Sequence, residues 1–362
     1  MKSRKGFRFL NKERIKNSFN KIAIQGLSGM AQGLFASLLI GTIMRTLGSF
    51  IPGAAGELLI RAADFTKEVQ GSAMALGIGY SMKCPPFVLY SLATVGFAAN
   101  SLGGGGGPLA VYIISLIAIF AGKLVSKRTG IDLLITPSVT IISGVAAAGL
   151  LAPPIGRFAV SLGGLIMWAT NLQPFIMGIC NSVIMGVILT LPISSAAICA
   201  ALGLVGLAGG AATAGCCAHM VGFAVCAYRD NKLNGLASIG LGTSMLLVPN
   251  LVRKPILWLP PVIASAITGP IASVVFRLSQ NGAAISSGMG TCGLVGPIGV
   301  VTGWMHPSEK ALELGLHAMQ PGIWDWLGLA LVCFVLPAII SLSVSELMRK
   351  KGWIKPGDYK LV

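Results

Sequence analysis

The chain has 362 residues, of which 54% are hydrophobic and only 10% are charged. A soluble globular protein carries about 25% charged residues, so the composition excludes that class and favours an all-α polytopic membrane protein. The net charge of +16 does not indicate a nucleic-acid partner, because the basic residues cluster at the chain ends and in short loops, where the positive-inside rule places them.

The two ends of the chain flank a single membrane domain. Residues 1–24 are basic and amphipathic, which predicts a helix on the cytoplasmic surface of the membrane. Residues 349–362 form a second basic segment, predicted to be a cytoplasmic tail. Both segments are expected to lie against anionic lipid. Residues 25–348 then form one integral membrane transporter domain with both termini in the cytoplasm.

Apolar stretches long enough to span a bilayer recur along this domain, and a crossing helix needs about 20 such residues. The sequence predicts about eight crossings, at 26–50, 108–126, 131–152, 155–171, 174–192, 211–228, 256–277 and 323–347.

Other apolar pieces are too short or too rich in glycine for a regular crossing. Residues 69–82 and 87–100 are separated by Lys83-Cys84-Pro85-Pro86. They can form a re-entrant hairpin over 69–100 or two full crossings, and their shortness favours the hairpin. Further re-entrant, broken elements are predicted near 194–210, 236–250 and 282–303.

The most informative stretch lies between Asn281 and Gly303, where glycine recurs and Pro297 removes a backbone donor. Such backbone cannot form a regular helix, and in a bilayer it is tolerated only where protein or a water-filled cavity surrounds it. An earlier stretch resembles it, since Ile193-Ser194-Ser195 recurs as Ile285-Ser286-Ser287 ahead of a second shared Gly-Leu-Val-Gly motif. Paired broken segments of this kind indicate a transporter's binding site near the bilayer midplane.

Candidate binding residues are the uncharged polar side chains and the single histidine at membrane depth. Each needs a hydrogen-bond partner there, and a bond between helices is the alternative to a ligand. The predicted substrate-binding residues are Gln173, Asn181, Ser194, Ser195, His219, Asn250, Ser286, Ser287 and Thr291. Thr190, Thr213, Thr243 and Ser244 share the pattern.

Motifs for catalysis, metals and cofactors are lacking. The cysteines lie in apolar segments without a Cys-x-x-Cys pair, so Cys216 and Cys217 beside His219 are more simply explained as small buried side chains than as a metal or redox site. No phosphate-binding loop or nucleophile motif occurs. We expect neither catalytic residues nor a metal or cofactor in this chain.

Several motifs resemble one membrane-transport family. They include Gly106-Gly107-Pro108, Gly215-Cys216-Cys217-Ala218-His219 and Gly288-Met289-Gly290-Thr291-Cys292, together with the stretches 122–127, 166–175, 189–197, 240–245 and 293–296. The chain is similar to enzyme IIC, the membrane subunit of the sugar phosphotransferase system, and most closely to its IIC-like branch described as toxin-regulator membrane proteins. The resemblance covers about residues 20 to 347.

The resemblance implies a homodimeric permease of the bacterial inner membrane that moves a small polar solute, a sugar or sugar-like acid, by alternating access. It also implies a cytoplasmic IIB-like partner that would carry any phosphoryl transfer. The Gly-Ile-Thr-Glu motif of the glucose-type branch is missing. A second interpretation remains open, in which the chain is a membrane sensor that binds its ligand and signals to a cytoplasmic partner.

Overall fold

The structure is a computed structural model that describes residues 24–128 and 130–361. The predicted helix of residues 1–24 lies almost wholly outside these residues. Within them the fold is all-α, with no β-strand and a single isolated β-bridge. Six helices are long and apolar enough to cross a membrane. The predicted fold class, an all-α polytopic membrane protein, is therefore confirmed.

Most helices follow the apolar segments of the sequence, and irregular turns separate them where glycine and proline cluster. In chain order they are α1 Ile24–Phe50, α2 Ala54–Glu68, α3 Gln70–Ser81, α4 Pro86–Gly103, α5 Gly107–Val125, α6 Asp132–Thr170, α7 Pro174–Thr190, α8 Ser195–Leu202, α9 Gly206–Ala237, α10 Val248–Arg253, α11 Leu259–Pro270, α12 Val295–Met305, α13 Glu309–Glu313 and α14 Ile323–Lys350.

Helices α3, α4 and α5 pack side by side, with tight turns at Lys83, which has φ 51°, and at Gly104, which has φ 49°. Helix α4 has 18 residues, a length of about 27 Å, which is close to the thickness of the hydrocarbon core. Helix α3 has 12 residues and reaches only about 18 Å. The re-entrant hairpin over 69–100 stays a prediction.

The sequence predicts a turn between crossings at 131–152 and 155–171, and this prediction is wrong. Helix α6 continues for 39 residues through Pro137, Pro153 and Pro154, a length of about 58 Å. Each proline removes one backbone donor but also fixes φ at a helical value. The helix therefore continues with ladder bonds missing, which an apolar segment packed against neighbouring helices tolerates.

The break predicted over 194–210 is shorter than expected. Helix α8 ends at Gly203, which has φ 59°, and α9 begins at Gly206, which has φ 68°. Gly209 and Gly210 belong to α9. Gly210 allows close packing rather than unwinding, because a Cβ there would collide with the carbonyl of Leu278.

Helix α9 is the centre of the molecule. Among the long apolar helices of the described residues it is the most buried, with 89% of its 18 most apolar consecutive residues inside the protein. Beyond its end the chain forms a π turn, Ser238–Gly242, and a 3-10 turn, Ser244–Leu247, before α10. The basic tail packs here, since Ile354 and Tyr359 are buried between α9 and α10. The lysines of this segment stay exposed, so its contact with anionic lipid stays a prediction.

Candidate functional site

Two broken segments, residues 193–206 and 280–296, pack directly against each other. Gly206 N donates to Gln280 O at 2.8 Å, and Gln280 N donates back to Gly206 O at 2.9 Å. This pair satisfies backbone groups that no helix satisfies, as membrane depth requires. The two segments that resemble each other in sequence therefore meet at one place.

The Ser-Ser pairs hold these segments together. Ser195 Oγ donates to Gly288 O at 2.6 Å, and Ser287 Oγ donates to Leu204 O at 2.6 Å. Ser194 Oγ accepts from Ala197 N at 3.2 Å and caps α8. Because a hydroxyl has one proton to donate, the donors of Ser195 and Ser287 are used within the protein.

Glycine makes this contact possible. A Cβ at Gly288 would lie 2.6 Å from Ser195 O, and a Cβ at Gly290 would lie 2.7 Å from the carbonyl carbon of Cys216. Gly290 also has φ 52°, a left-handed conformation that side chains other than glycine adopt at a cost. The first part of the glycine-rich stretch, up to Leu294, is irregular backbone in close contact with α8 and α9. The prediction that all of 282–303 is broken is wrong for its second part, because Val295–Met305 forms the regular helix α12 with Pro297 in its first turn, where no backbone donor is needed.

A polar cluster lies one turn further along α9 than Cys216, at His219. Thr190 Oγ1 lies 3.1 Å from His219 Nδ1 and 2.9 Å from Ser244 Oγ, and it donates to Gly186 O at 3.0 Å. Thr190 has a single hydroxyl proton, and with that proton on Gly186 O both His219 Nδ1 and Ser244 Oγ donate to Thr190 Oγ1. In this arrangement the proton of the neutral His219 ring is on Nδ1.

The other ring nitrogen, His219 Nε2, is left as a hydrogen-bond acceptor. It is fully buried and has no partner among the described residues. A buried acceptor without a partner is rare in proteins and often marks a place for a ligand or an ordered water. The ring packs against Phe223 and Trp258, with centroids 5.8 and 6.0 Å away.

His219 lies at mid-depth along α9. Along the helix axis it is about 20 Å from Gly206 and about 17 Å from Asp230. The second broken segment passes nearby, because Gly290 touches Cys216, one turn before His219, and Thr291 Oγ1 donates to Gly240 O at 2.5 Å. The polar cluster and the broken segments thus border the same stretch of α9.

Three predicted binding residues lie apart from this cluster. Gln173 is exposed at the start of α7, about 25 Å along that helix from Thr190. Asn181 is buried at mid-helix and donates to Thr170 Oγ1 at 3.3 Å. Asn250 donates to backbone carbonyls of the tail. Sequence spacing does not reveal these separations, because they depend on which helix faces which.

Two further features escaped the sequence analysis. Gln280 is fully buried, and its Oε1 accepts from Gly282 N at 3.1 Å; its position next to the glycine-rich stretch was an available signal. The aromatic rings of Phe223 and Trp258 around His219 gave no signal, since aromatic residues in apolar segments are most often core.

The chemistry of the site is that of neutral hydrogen bonding. In the described part of the chain no group of three or more histidine, cysteine or acidic side chains is placed to hold a metal ion. Around His219 the polar partners are hydroxyls. Such a site can accept a hydrogen bond from an uncharged hydroxyl.

Comparison with known proteins gives one result. A family model described as "Phosphotransferase system, EIIC" matches residues 24–361. No curated protein matches the chain. The matched range includes both broken segments, the His219 cluster and the tail.

Proposed function

The chain belongs to the phosphotransferase system EIIC family, and on that basis we propose that it is a permease for a small polar solute that bears hydroxyl groups, a sugar or sugar-like acid. Membership of the family makes the chain a membrane component of sugar transport. The observation that carries the finer proposal is His219 Nε2, a buried acceptor without a partner among the described residues. A solute hydroxyl would supply the missing donor.

The proposal includes alternating access, which the same geometry supports. His219 is buried, so a solute reaches it only after the helices move. The broken segments form a compact unit around Ser195 and Ser287, and this unit would move relative to the outer helices as a whole. Irregular backbone around a midplane site is typical of transporters that work in this way.

The membrane orientation and the partners are also proposals. Arg229, Lys254 and Arg349 lie near the same end of α9, which supports a bacterial inner-membrane protein with this end and both termini in the cytoplasm. A IIB-like partner would dock there. The exposed apolar face of α6, which includes Leu150 and Phe158, offers surface for a homodimer.

The test uses a pair of substitutions that separate the two ring nitrogens. In His219→Asn the amide takes the place of Nδ1 beside Thr190 but nothing replaces Nε2, whereas in His219→Gln the longer side chain can present an oxygen near the Nε2 position. Purified protein is screened with sugars and sugar acids by thermal shift, since a ligand of the folded state raises its apparent stability.

We expect at least one such solute to stabilise the protein. Its affinity should fall about 2–13-fold in His219→Asn, the loss of a neutral hydrogen bond of about 0.5–1.5 kcal/mol, and should fall less in His219→Gln. The matched control is His306→Asn, which changes an exposed histidine. Wild-type affinity in His219→Asn contradicts the proposed site. Binding without uptake into proteoliposomes would favour the sensor interpretation instead.

A further inference from the structure

The C-terminal segment Trp353–Leu361, which we call the tail, follows α14 and lies across the ends of α9 and α10. Tyr359 is fully buried, and Ile354 is only 3% exposed. The tail contains no regular helix, so its backbone groups must find partners elsewhere. They find them on the helix ends.

Helix α9 is interrupted at Lys232, which has φ 54°, and two side chains just before this break, at the end of its long part, hold the tail by its backbone. Asp230 accepts from Gly357 N and from Tyr359 N, both at 3.0 Å. Asn231 accepts from Leu361 N at 2.8 Å and donates to Tyr359 O at 2.7 Å. The carboxylate and the amide thus bind backbone groups of the turn that residues 356–359 form.

Helix α10 and Lys254, the residue that follows it, bind the other side of the tail. Asn250 Nδ2 donates to Asp358 O at 2.8 Å and to Lys360 O at 3.0 Å. Lys254 Nζ pairs with the Asp358 carboxylate at 2.6 Å. Both amide hydrogens of this buried asparagine are therefore used only while the tail is in place. The tail consequently clamps α9 to α10.

A row of aromatic rings in edge-to-face or tilted contact leads from the tail to His219. The Tyr359 ring lies 6.4 Å from that of Phe223, which in turn lies 5.8 Å from the His219 ring. Trp258 lies 6.0 Å from both inner rings. The tail therefore packs on the Phe223 ring, between the His219 ring and this part of the molecular surface.

We propose that the tail is an intramolecular latch, which closes the solute pathway between His219 and the basic end of the molecule and must open for the solute to pass. The pathway part of this inference rests on the proposed function. The clamp itself rests on contacts with the tail that involve no solute: side-chain hydrogen bonds to its backbone, the Lys254–Asp358 ion pair and the buried Tyr359 ring. Bonds of this kind at a wet edge are exchanged readily for bonds to water, with a modest net change, which suits a closure that has to open.

The chain contains its own reporter for opening. Cys226 is only 2% exposed and lies beside the Tyr359 side chain. Its alkylation by N-ethylmaleimide, measured by mass spectrometry in protein reconstituted in liposomes, should be slow in the wild type because a thiol must be accessible to react. The partly exposed Cys180 serves as an internal reference.

We expect Asn231→Ala to raise the alkylation rate of Cys226 at least 10-fold. Removal of residues 353–362 should raise it further, while the rate of Cys180 stays constant in both. The matched control is Lys355→Ala, which removes an exposed tail charge but leaves the Lys355 N–H bond to Asp358 intact. An unchanged Cys226 rate in both the substituted and the shortened chain overturns the latch.

A second experiment cross-links the tail to α9 by a disulfide. In Asn231→Cys with Leu361→Cys, the new thiols are placed on two neighbouring residues, since the Leu361 N–H donates to Asn231 Oδ1 at 2.8 Å. Oxidation should block uptake of the solute found by the thermal-shift screen, and reduction should restore it. Full uptake by the oxidised, cross-linked protein overturns the latch. The Cys226 arm uses no solute, so failure to find any transported solute would contradict the proposed function while leaving the latch supported.

Discussion

The two ends of helix α9 are closed in different ways. At Gly206, backbone packs on backbone, and glycines such as Gly210 and Gly288 allow contacts that no side chain would permit. At Asp230, the closure consists of polar side chains that bind backbone groups of the tail. Close packing of backbone, which only glycine allows, dominates the Gly206 end. Side-chain hydrogen bonds to the tail dominate the Asp230 end.

The difference indicates which end is able to move. Close packing is intolerant of change, since even one added methylene is felt in a packed interior. Hydrogen bonds at a surface are replaced by bonds to water. We therefore expect the Gly206 end to behave as a rigid unit and the Asp230 end to open and close. The predictions below test this contrast, beginning with the largest effect.

Bulk at the glycine end should be the most damaging change. Gly288→Leu and Gly290→Leu should each abolish solute binding while the protein still inserts into the membrane, because a Cβ at either position meets backbone at 2.6 to 2.7 Å. Overpacking of this kind destabilises by about 1–3 kcal/mol, and the positive φ of Gly290 adds a similar amount. The measurements are membrane insertion, ligand affinity and melting temperature.

A matched control for these variants is Gly149→Leu, at a position where nothing lies within 4 Å. That variant should bind and melt like the wild type. Wild-type binding by Gly288→Leu and Gly290→Leu would show that the glycine end tolerates bulk after all.

The serine bonds between the broken segments should have a moderate effect. Ser195→Ala and Ser287→Ala each remove one hydroxyl that bonds a carbonyl of the other segment, and each should lower the free energy of unfolding by about 0.5–1.5 kcal/mol. The double variant should lose less than the sum, because the two bonds join the same pair of segments. Thermal melts of the four proteins form the cycle.

Ser161→Ala is the control for that cycle, since the Ser161 hydroxyl is exposed and bonds only within its own helix. Strict additivity of the serine variants would mean that the segments do not act as one unit.

Acid should affect the tail end alone, and by less. Burial by itself would raise the pKa of Asp358, but the hydrogen bonds from Lys254 and Lys355, with the charges of Lys254 and Arg349, hold that pKa below its ordinary value. A carboxyl whose pKa is lower in the docked tail stabilises docking fully above about pH 4 and loses this effect as the pH falls further. Screening by water limits the effect to about 1 kcal/mol or less.

Hydrogen exchange of residues 353–361, corrected for the intrinsic rate, measures this dependence. Docking should be constant between about pH 5 and 8 and weaken below about pH 4, and Asp358→Asn should remove part of the acid response. Docking that weakens as the pH rises from about 5 to 8 would contradict the role of Asp358.

The smallest effect is expected where a loop covers the glycine end. The Lys310 stem lies over Gly203, and its ammonium pairs with Glu313 at 2.8 Å on an exposed surface. Lys310→Ala should change the free energy of unfolding by no more than about 0.5 kcal/mol, as is usual for such pairs. A thermal shift as large as that of Ser195→Ala would show that this loop is part of the closure.

Sequence by itself determined the class of the protein and much of its outline. Apolar length and the placement of charge identify membrane helices without knowledge of their neighbours, because the bilayer imposes these demands on each segment separately. The glycines likewise predicted irregular backbone between 282 and 294, although Pro297 falls in the first turn of the regular helix α12. The repeated Ser-Ser motif indicated two related segments. These signals are local.

Tertiary structure decided which polar groups meet. Thr190, His219 and Ser244 form one cluster although they come from separate segments, while Asn250 bonds the tail and Gln173 stays exposed. The continuity of α6 through its prolines and the docking of the tail likewise depend on neighbouring helices. Side-chain partners far apart in sequence are set by packing, and a hydropathy pattern records how much a residue avoids water but not which residue it touches.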